Sequence, residues 1–539
     1  MFKLRKTEGF IPAFSILYLK ETYLCPPFWR AASGCVFPKN QFRNLYSRFE
    51  TIFRIPLIAS RVVKRVLLKA LNAGSSYPNQ VLLAEKDRLD QLDAMLGSAE
   101  KSFLHQAVQQ DINSFTFPRA EGIVFVRLLK QEPDPFIALE DARIAGNDLL
   151  SELRRYKVES VSIHNYCLEN RALAFAEGLA LGSYQFLKYF TRPVEKPLHE
   201  ICVEPDSGSE KDLEELNALL EAVFLARDLV NEPQSHFNSL QMADAVEVVA
   251  REYGFSAEIF GKEKIESLQM GGLLAVNRAS QIPPRFCVLE WKPKAAKNEK
   301  PVVLVGKGVV YDTGGLSLKP SEAMDYMKCD MAGAATVVST LAVAAKTQLP
   351  VHLVGLIPIT DNKIGENALA PGDVITMGNG KTVEVVNTDA EGRIILADAL
   401  HYAKKYEPAL AFDIATLTGS AVRALGTQAI CYMGNASREV KWTLEESGFA
   451  TYERLVELPL WKEFADELKS NIADFRNLGS SNAGMITAGK FLENFVDYPW
   501  LHLDIAGPAY LRTANSYRTK DGTGVGVRLL YHFLKKHFK

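Results

Sequence analysis

Histidine and cysteine are sparse in this chain, and neither is spaced as a ligand set. Nine histidines are scattered over 539 residues. No His-Glu-x-x-His run occurs, which excludes a helix-borne zinc protease. His401 and His502 lie in apolar surroundings and read as helix or core residues. The seven cysteines, Cys25, Cys35, Cys167, Cys202, Cys287, Cys329 and Cys431, are odd in number and widely separated. Without a Cys-x-x-Cys pair they give no disulfide framework and point to a reducing compartment. Ser317 lacks the Gly-x-Ser-x-Gly elbow of a serine hydrolase. The run Gly378-Asn379-Gly380-Lys381-Thr382 resembles the end of a phosphate loop, but Ile375 stands where the first glycine belongs. No apolar run reaches about 18 residues, so no membrane-spanning helix is expected. The net charge of −2 predicts no general attraction to nucleic acid.

What remains is an ordinary globular composition, 47% apolar and 23% charged, over a length suited to two or more domains. Charge is unevenly placed. Residues 1–70 carry thirteen Lys/Arg against Glu8, Glu21 and Glu50, a balance of +10, which leaves −12 for the rest. A basic, acid-poor leader over residues 1–75 fits an organelle transit peptide. It also fits a secretory apolar stretch interrupted by Pro12, or an upstream stretch that never folds. Residues 76–209 alternate strand-like runs (122–129, 158–164, 199–203) with helical ones such as 138–156. They read as a small α/β domain. Asp206 to Ser209 reads as a turn, and Ser209 with Asp212 as a capping box. That box opens a linker helix over 210–230. Residues 231–539 then alternate strands with helices, as in a central mixed sheet flanked by helices on both faces. The fold class is thus α/β in two domains, a smaller amino-terminal one and a larger carboxy-terminal one.

Four carboxylates and three cationic side chains gather at the ends of apolar runs in that larger domain. Asp312 lies in the glycine-rich loop after the strand-like run 302–305, between Lys307 and Lys319. Asp330 precedes the Ala/Gly-rich segment 332–345, which reads as a buried helix. Asp389, Glu391 and Arg393 alternate in Asn387-Thr388-Asp389-Ala390-Glu391-Gly392-Arg393. In open α/β sheets the strand ends are where ligands bind. Acids placed together repel unless a cation neutralises them, and oxygen-rich sites suit magnesium, manganese or zinc.

At these residues the chain resembles the leucine aminopeptidase family of dinuclear metallo-exopeptidases. Asn387 to Arg393 is that family's signature without substitution. Val305-Gly306-Lys307-Gly308, Asp312-Thr313-Gly314-Gly315, Lys319-Pro320, the run Asp413 to Gly419 and the run His502 to Gly507 also match. The likeness runs from about Ala226 to the C-terminus. It implies that Lys307, Asp312, Asp330 and Glu391 hold a tighter ion, and Asp312, Asp389 and Glu391 a more exchangeable one. Lys307 must then bind as the neutral amine. Lys319 and Arg393 become the catalytic pair, with bicarbonate at Arg393. Met327, Thr416, Leu417 and Gly419 line the pocket for the substrate's first side chain.

The resemblance further implies two divalent ions per subunit, manganese or zinc or else magnesium. The reaction is removal of amino-terminal leucine, methionine and similar residues through a water bridging the ions. The substrates are peptides with a free amino terminus, the assembly is a homohexamer, and the location is the cytoplasm, or an organelle matrix if the leader is a transit peptide. No membrane or nucleic-acid partner is expected. Two rival readings are a DNA-binding regulator using the basic leader and a two-metal phosphatase.

Overall fold

The computed structural model describes residues 65–71, 77–167, 171–192, 198–204 and 209–538. The leader up to residue 64 and most of the turn before Ser209 lie outside them.

The first α/β layer is a six-stranded sheet. Its order is Leu67–Ala70, Glu200–Val203, Ser160–Asn165, Asn79–Glu85, Ile123–Leu129, Ser114–Pro118. All pairs are parallel except the last, which is antiparallel. Leu67–Ala70 corrects the expected leader boundary at residue 75. The four residues sit among basic neighbours and read by charge as leader. Yet Leu68 is buried and the strand pairs in register with Glu200–Val203, so the fold starts earlier. Helix Pro135–Arg155 begins at Asp134, whose side chain accepts from the backbone N–H of Phe136 and Ile137, with proline at the first helical position. It packs against the almost wholly buried, Ala-rich helix Ala172–Gly182.

The expected capping box is present. The Ser209 hydroxyl accepts from Asp212 N–H at 3.2 Å, and Asp212 accepts from Ser209 N–H at 3.0 Å. It opens helix Glu210–Asn231. This helix is no free tether, because it packs along helix Ala332–Lys346 and against strand Leu67–Ala70.

The larger sheet has nine strands. Its order is Leu455–Glu457, Ile430–Gly434, Trp500–Asp504, Leu410–Ala415, Val302–Gly306, Leu353–Asn362, Arg285–Trp291, Ser256–Phe260, with Gly308–Asp312 pairing Leu353–Asn362 off this path. Parallel and antiparallel pairs mix, as expected. Successive side chains of a strand point to opposite faces, and here both faces are dry. Val302 and Leu304 enter one core with helix Ala332–Lys346. Val303 and Val305 enter the other with helix Glu391–Ala403. That two-sided burial explains the unbroken Val/Leu run. Segment Ser321–Lys346 is long and apolar enough to cross a membrane, but 89% of its apolar window is buried inside the fold.

A buried ion triad joins the small sheet's helices to the C-terminal helix Val527–His537. Glu177 accepts from Arg143 Nε at 2.6 Å and from Arg528 Nε at 2.7 Å. Burial alone would raise the Glu177 carboxyl. The two guanidinium groups outweigh it and hold the carboxyl down at about 2. Because the folded value lies below the unfolded one, this interaction stabilises above pH 4.5 and is lost as pH falls through about 2. Glu177→Gln is expected to lower stability by about 3–5 kcal/mol at neutral pH, since it leaves buried charge unpaired. It should also flatten the acid limb of the urea midpoint plotted against pH.

Candidate metal centre

The parallel strands end at one edge, and the helix starts meet them there. Lys307 follows strand Val302–Gly306. Its N–H donates to Ile414 O at 3.0 Å, and its own carbonyl accepts from Ala334 N–H at 3.0 Å. The residue is thereby pinned between a neighbouring strand end and the start of helix Ala332–Lys346. Asp312 closes strand Gly308–Asp312 after a register shift opposite Asn362. Asp330 stands just after the short turn Met327–Cys329, and Glu391 is the first residue of helix Glu391–Ala403.

These elements bring the predicted side chains together. Lys307 Nζ lies 2.8 Å from Asp330 Oδ1, 2.9 Å from Glu391 Oε1 and 3.1 Å from the Thr416 carbonyl. Lys319 Nζ lies 2.8 Å from Asp312 Oδ2 and also pairs with Asp389. Asp312, Asp330 and Glu391 each offer a carboxylate oxygen within 4.8 Å of the others. All three are at most 3% exposed.

Close approach depends on missing side chains at two positions. A Cβ on Gly392 would meet Lys307 Cε and Nζ at 2.4 and 2.5 Å, so only glycine leaves room for the amine. Gly314 has φ of +86°, and a Cβ there would lie 2.5 Å from Ser317 O.

The cluster is short of positive charge. Four carboxylates face Lys307, Lys319 and Arg393. Asp330 Oδ2 is buried without a hydrogen-bond partner among the described residues. Burial first, then Glu391 and Asp312, raise the Asp389 carboxyl to about 6, with Lys319 opposing. Burial and the same like charges hold Asp330 well above the carboxylate range despite Lys307. Burial favours a neutral Lys307, but Asp330, Glu391 and Asp312 together outweigh it and raise the amine above its usual range. Against the protein's own groups, then, Lys307 is an ammonium. The neutral amine expected from the sequence requires these acids to be neutralised by another cation. Arg393 is buried and depressed to about 10 by desolvation, with Glu391 and Asp504 opposing. An orphaned buried oxygen amid surplus carboxylates is a donor set that fits a hard divalent cation.

Several positioning residues were not legible in the sequence. Asn362 Nδ2 donates to Asp312 Oδ1 at 2.8 Å and to Thr388 O at 3.0 Å. Asn477 accepts from Val386 N–H and donates to Asn387 O, and its carbonyl accepts from Arg393 Nη1 at 2.9 Å. Thr388 and Ser317 bond reciprocally, joining the loops that carry Lys319 and Asp389.

The expected pocket residues are near but not all free. The Thr416 hydroxyl donates to Asp330 Oδ1 at 2.8 Å. Leu417 N–H donates to Asp504 at 3.1 Å, and Gly419 opens helix Gly419–Leu425. Met327 is half-buried at the start of its turn. The turn is tied back to the interdomain helix, where Lys328 Nζ donates to Asn231 O at 2.9 Å.

The chain is similar to known proteins in both sequence and fold. The description of the cytosol aminopeptidase family, catalytic domain, matches residues 224–531. A probable cytosol aminopeptidase of Chlorobaculum tepidum is 44% identical over 389 residues, covering 68% of this chain and 75% of that protein. One from Geotalea uraniireducens is 38% identical over 465 residues, covering 83% and 93%. Among solved structures, a bottromycin maturation enzyme, BotP, in complex with Mn superposes with TM-score 0.75 at 30% identity. It covers 86% of this chain and 100% of that one. A tomato leucine aminopeptidase mutant gives 0.77 at 26% identity, covering 88% and 96%. The chain belongs to the cytosol aminopeptidase family and is a divalent-metal-dependent aminopeptidase of the leucyl type.

Proposed function

We propose that the acidic cluster holds two divalent ions, manganese or zinc, and that these residues remove leucine, methionine and similar amino-terminal residues from peptides. The observation carrying this reading is the convergence of Asp312, Asp330 and Glu391 oxygens within 4.8 Å. Lys307, Asp312, Asp330 and Glu391 hold the tighter ion, and Asp312, Asp389 and Glu391 the more exchangeable one. Bound divalent ions acidify water and polarise a carbonyl, the two deficits of amide hydrolysis at neutral pH.

The chain's own groups do the rest. Lys319 lies beside Asp312 and Asp389, so its ammonium is held where negative charge develops on the scissile carbonyl oxygen. The planar Arg393 fork is fixed by Asn477, and its Nε has no hydrogen-bond partner among the described residues. That free N–H suits a small planar oxyanion such as bicarbonate, able to carry a proton that arginine itself does not release. Met327, Thr416, Leu417 and Gly419 border the place for the substrate's first side chain, with Thr416 also fixing Asp330.

The relatives' description as cytosol aminopeptidases supports a cytoplasmic location. The leader ahead of Leu67–Ala70 leaves an organelle matrix as the alternative, which the mature N-terminus read by mass spectrometry decides. The architecture supports a small α/β domain ending near residue 209, a connecting helix over 210–230 and a catalytic domain from 231. Exposed Trp442, Trp461 and Ile472 support burial in subunit contacts. A homohexamer should show six times the mass of the mature chain by light scattering.

Glu391→Gln should lose metal and turnover together, read by elemental analysis beside Leu-amide hydrolysis. Full metal content with most activity retained refutes its place between the ions. Lys319→Ala should lower kcat about 10²–10³-fold with metal content intact. If metal loss accounts for the whole defect, the oxyanion role is wrong. Metal-stripped enzyme titrated with manganese or zinc should cleave Leu-amide and leave N-acetyl-Leu-amide uncut. Cleavage of the blocked compound contradicts recognition of the free amine.

A further inference from the structure

A second set of cations lies away from the metal centre. A cavity of about 40 Å3 opens between helix Ala172–Gly182, helix Glu210–Asn231 and the C-terminal segment. Arg227, Arg454, Arg518 and Arg528 line it, with Glu453 as the one carboxylate among the lining residues. Two acids behind the wall are already shared. Glu140 accepts from Arg518 at 3.0 Å and lies 3.5 Å from Arg143, while Glu177 accepts from Arg143 and Arg528. Five arginines thus divide three carboxylates. Glu453 is itself engaged, taking Gly526 N–H and Leu529 N–H at 3.0 Å each as it caps the last helix.

Donors are left over. Among the described residues, Arg528 Nη2 is buried with no hydrogen-bond partner, on a side chain only 4% exposed, and the Nε atom of the half-buried Arg454 is likewise buried and unpartnered. Arg227, 1% exposed, hydrogen-bonds backbone carbonyls and the Thr519 hydroxyl but, among the described residues, no carboxylate, with Glu453 acting on it only through space. Buried cations without counter-charge are costly, and an unsatisfied charged donor doubly so. Desolvation accordingly depresses Arg227 to about 10. A single water needs some 10–15 Å3 of such space, so the cavity takes a species of a few heavy atoms. Guanidinium forks match oxyanions bidentately.

We propose that this cavity binds a small inorganic oxyanion of the phosphate type, held by Arg454 and Arg528 and charge-compensating Arg227. The site is separate from the Arg393 region and does not depend on the catalytic reading.

The test is calorimetric titration of inorganic phosphate into the full-length enzyme with its metal as isolated, at constant ionic strength. One saturable event is expected. It should weaken about tenfold or more in Arg454→Gln, the loss of one charge-assisted contact, and be unchanged in Arg393→Gln. Absence of saturable binding overturns the proposal. So does binding that persists in Arg454→Gln and vanishes in Arg393→Gln, which puts the anion in the catalytic cleft. Selenate soaked into crystals of the unmodified protein gives a readout free of variant folding. An anomalous peak within hydrogen-bond distance of Arg528 and Arg454 is expected, and none there at saturating selenate overturns it.

Discussion

Four acids crowded at one strand edge are the constraint around which the catalytic half is organised. Carboxylates at this density repel, and burial penalises each charge further. The chain accepts that cost because the edge is built to share the charge. Lys307 reaches Asp330 and Glu391 from a strand end fixed on both sides by backbone hydrogen bonds. Lys319 reaches Asp312 and Asp389 from a loop tied by Thr388 and Ser317. The deep two-faced core beneath, with the Val302–Gly306 strand feeding opposite faces in alternation, makes the edge rigid enough to hold like charges together.

The catalytic half was readable because its chemistry is local. Asp389, Glu391 and Arg393 fall within five positions, and Lys307, Asp312 and Lys319 within thirteen, each block following an apolar run. The strand-like run 302–305 and the helix over 332–345 each came within one residue of Val302–Gly306 and Ala332–Lys346. Asn362 and Asn477 escaped notice because neither carries a chemical signature. Their value comes from partners 26 and 50 residues away for Asn362 and 84 and 90 away for Asn477. Thr416 was legible as part of a motif but not as an anchor of Asp330, since that hydrogen bond exists only once the end of strand Leu410–Ala415 meets the turn Met327–Cys329. Charge misled at the other end. Lys64, Arg65 and Lys69 place 65–70 with the basic leader, while the burial of Leu68 between them is decided by sheet pairing with a strand some 130 residues on.

The small α/β part meets the catalytic part through polar as well as apolar contacts. The Arg143–Glu177–Arg528 triad and the arginine-lined cavity beside it are buried chemistry at a junction where hydrophobic packing alone would serve. Ion pairs in such places are weak arguments for stability and stronger ones for a fixed relative orientation.

Lys328 extends that orientation into the cleft. The final carbonyl of helix Glu210–Asn231 holds its ammonium, and its neighbours in the same turn are Met327 and, two residues on, Asp330. The turn that carries Met327 and leads into Asp330 therefore hangs from the shaft joining the two halves. A slide of that shaft by one residue's rise, about 1.5 Å, would either drag the turn along or forfeit a contact to a charged donor, of the order of 1.5–3 kcal/mol.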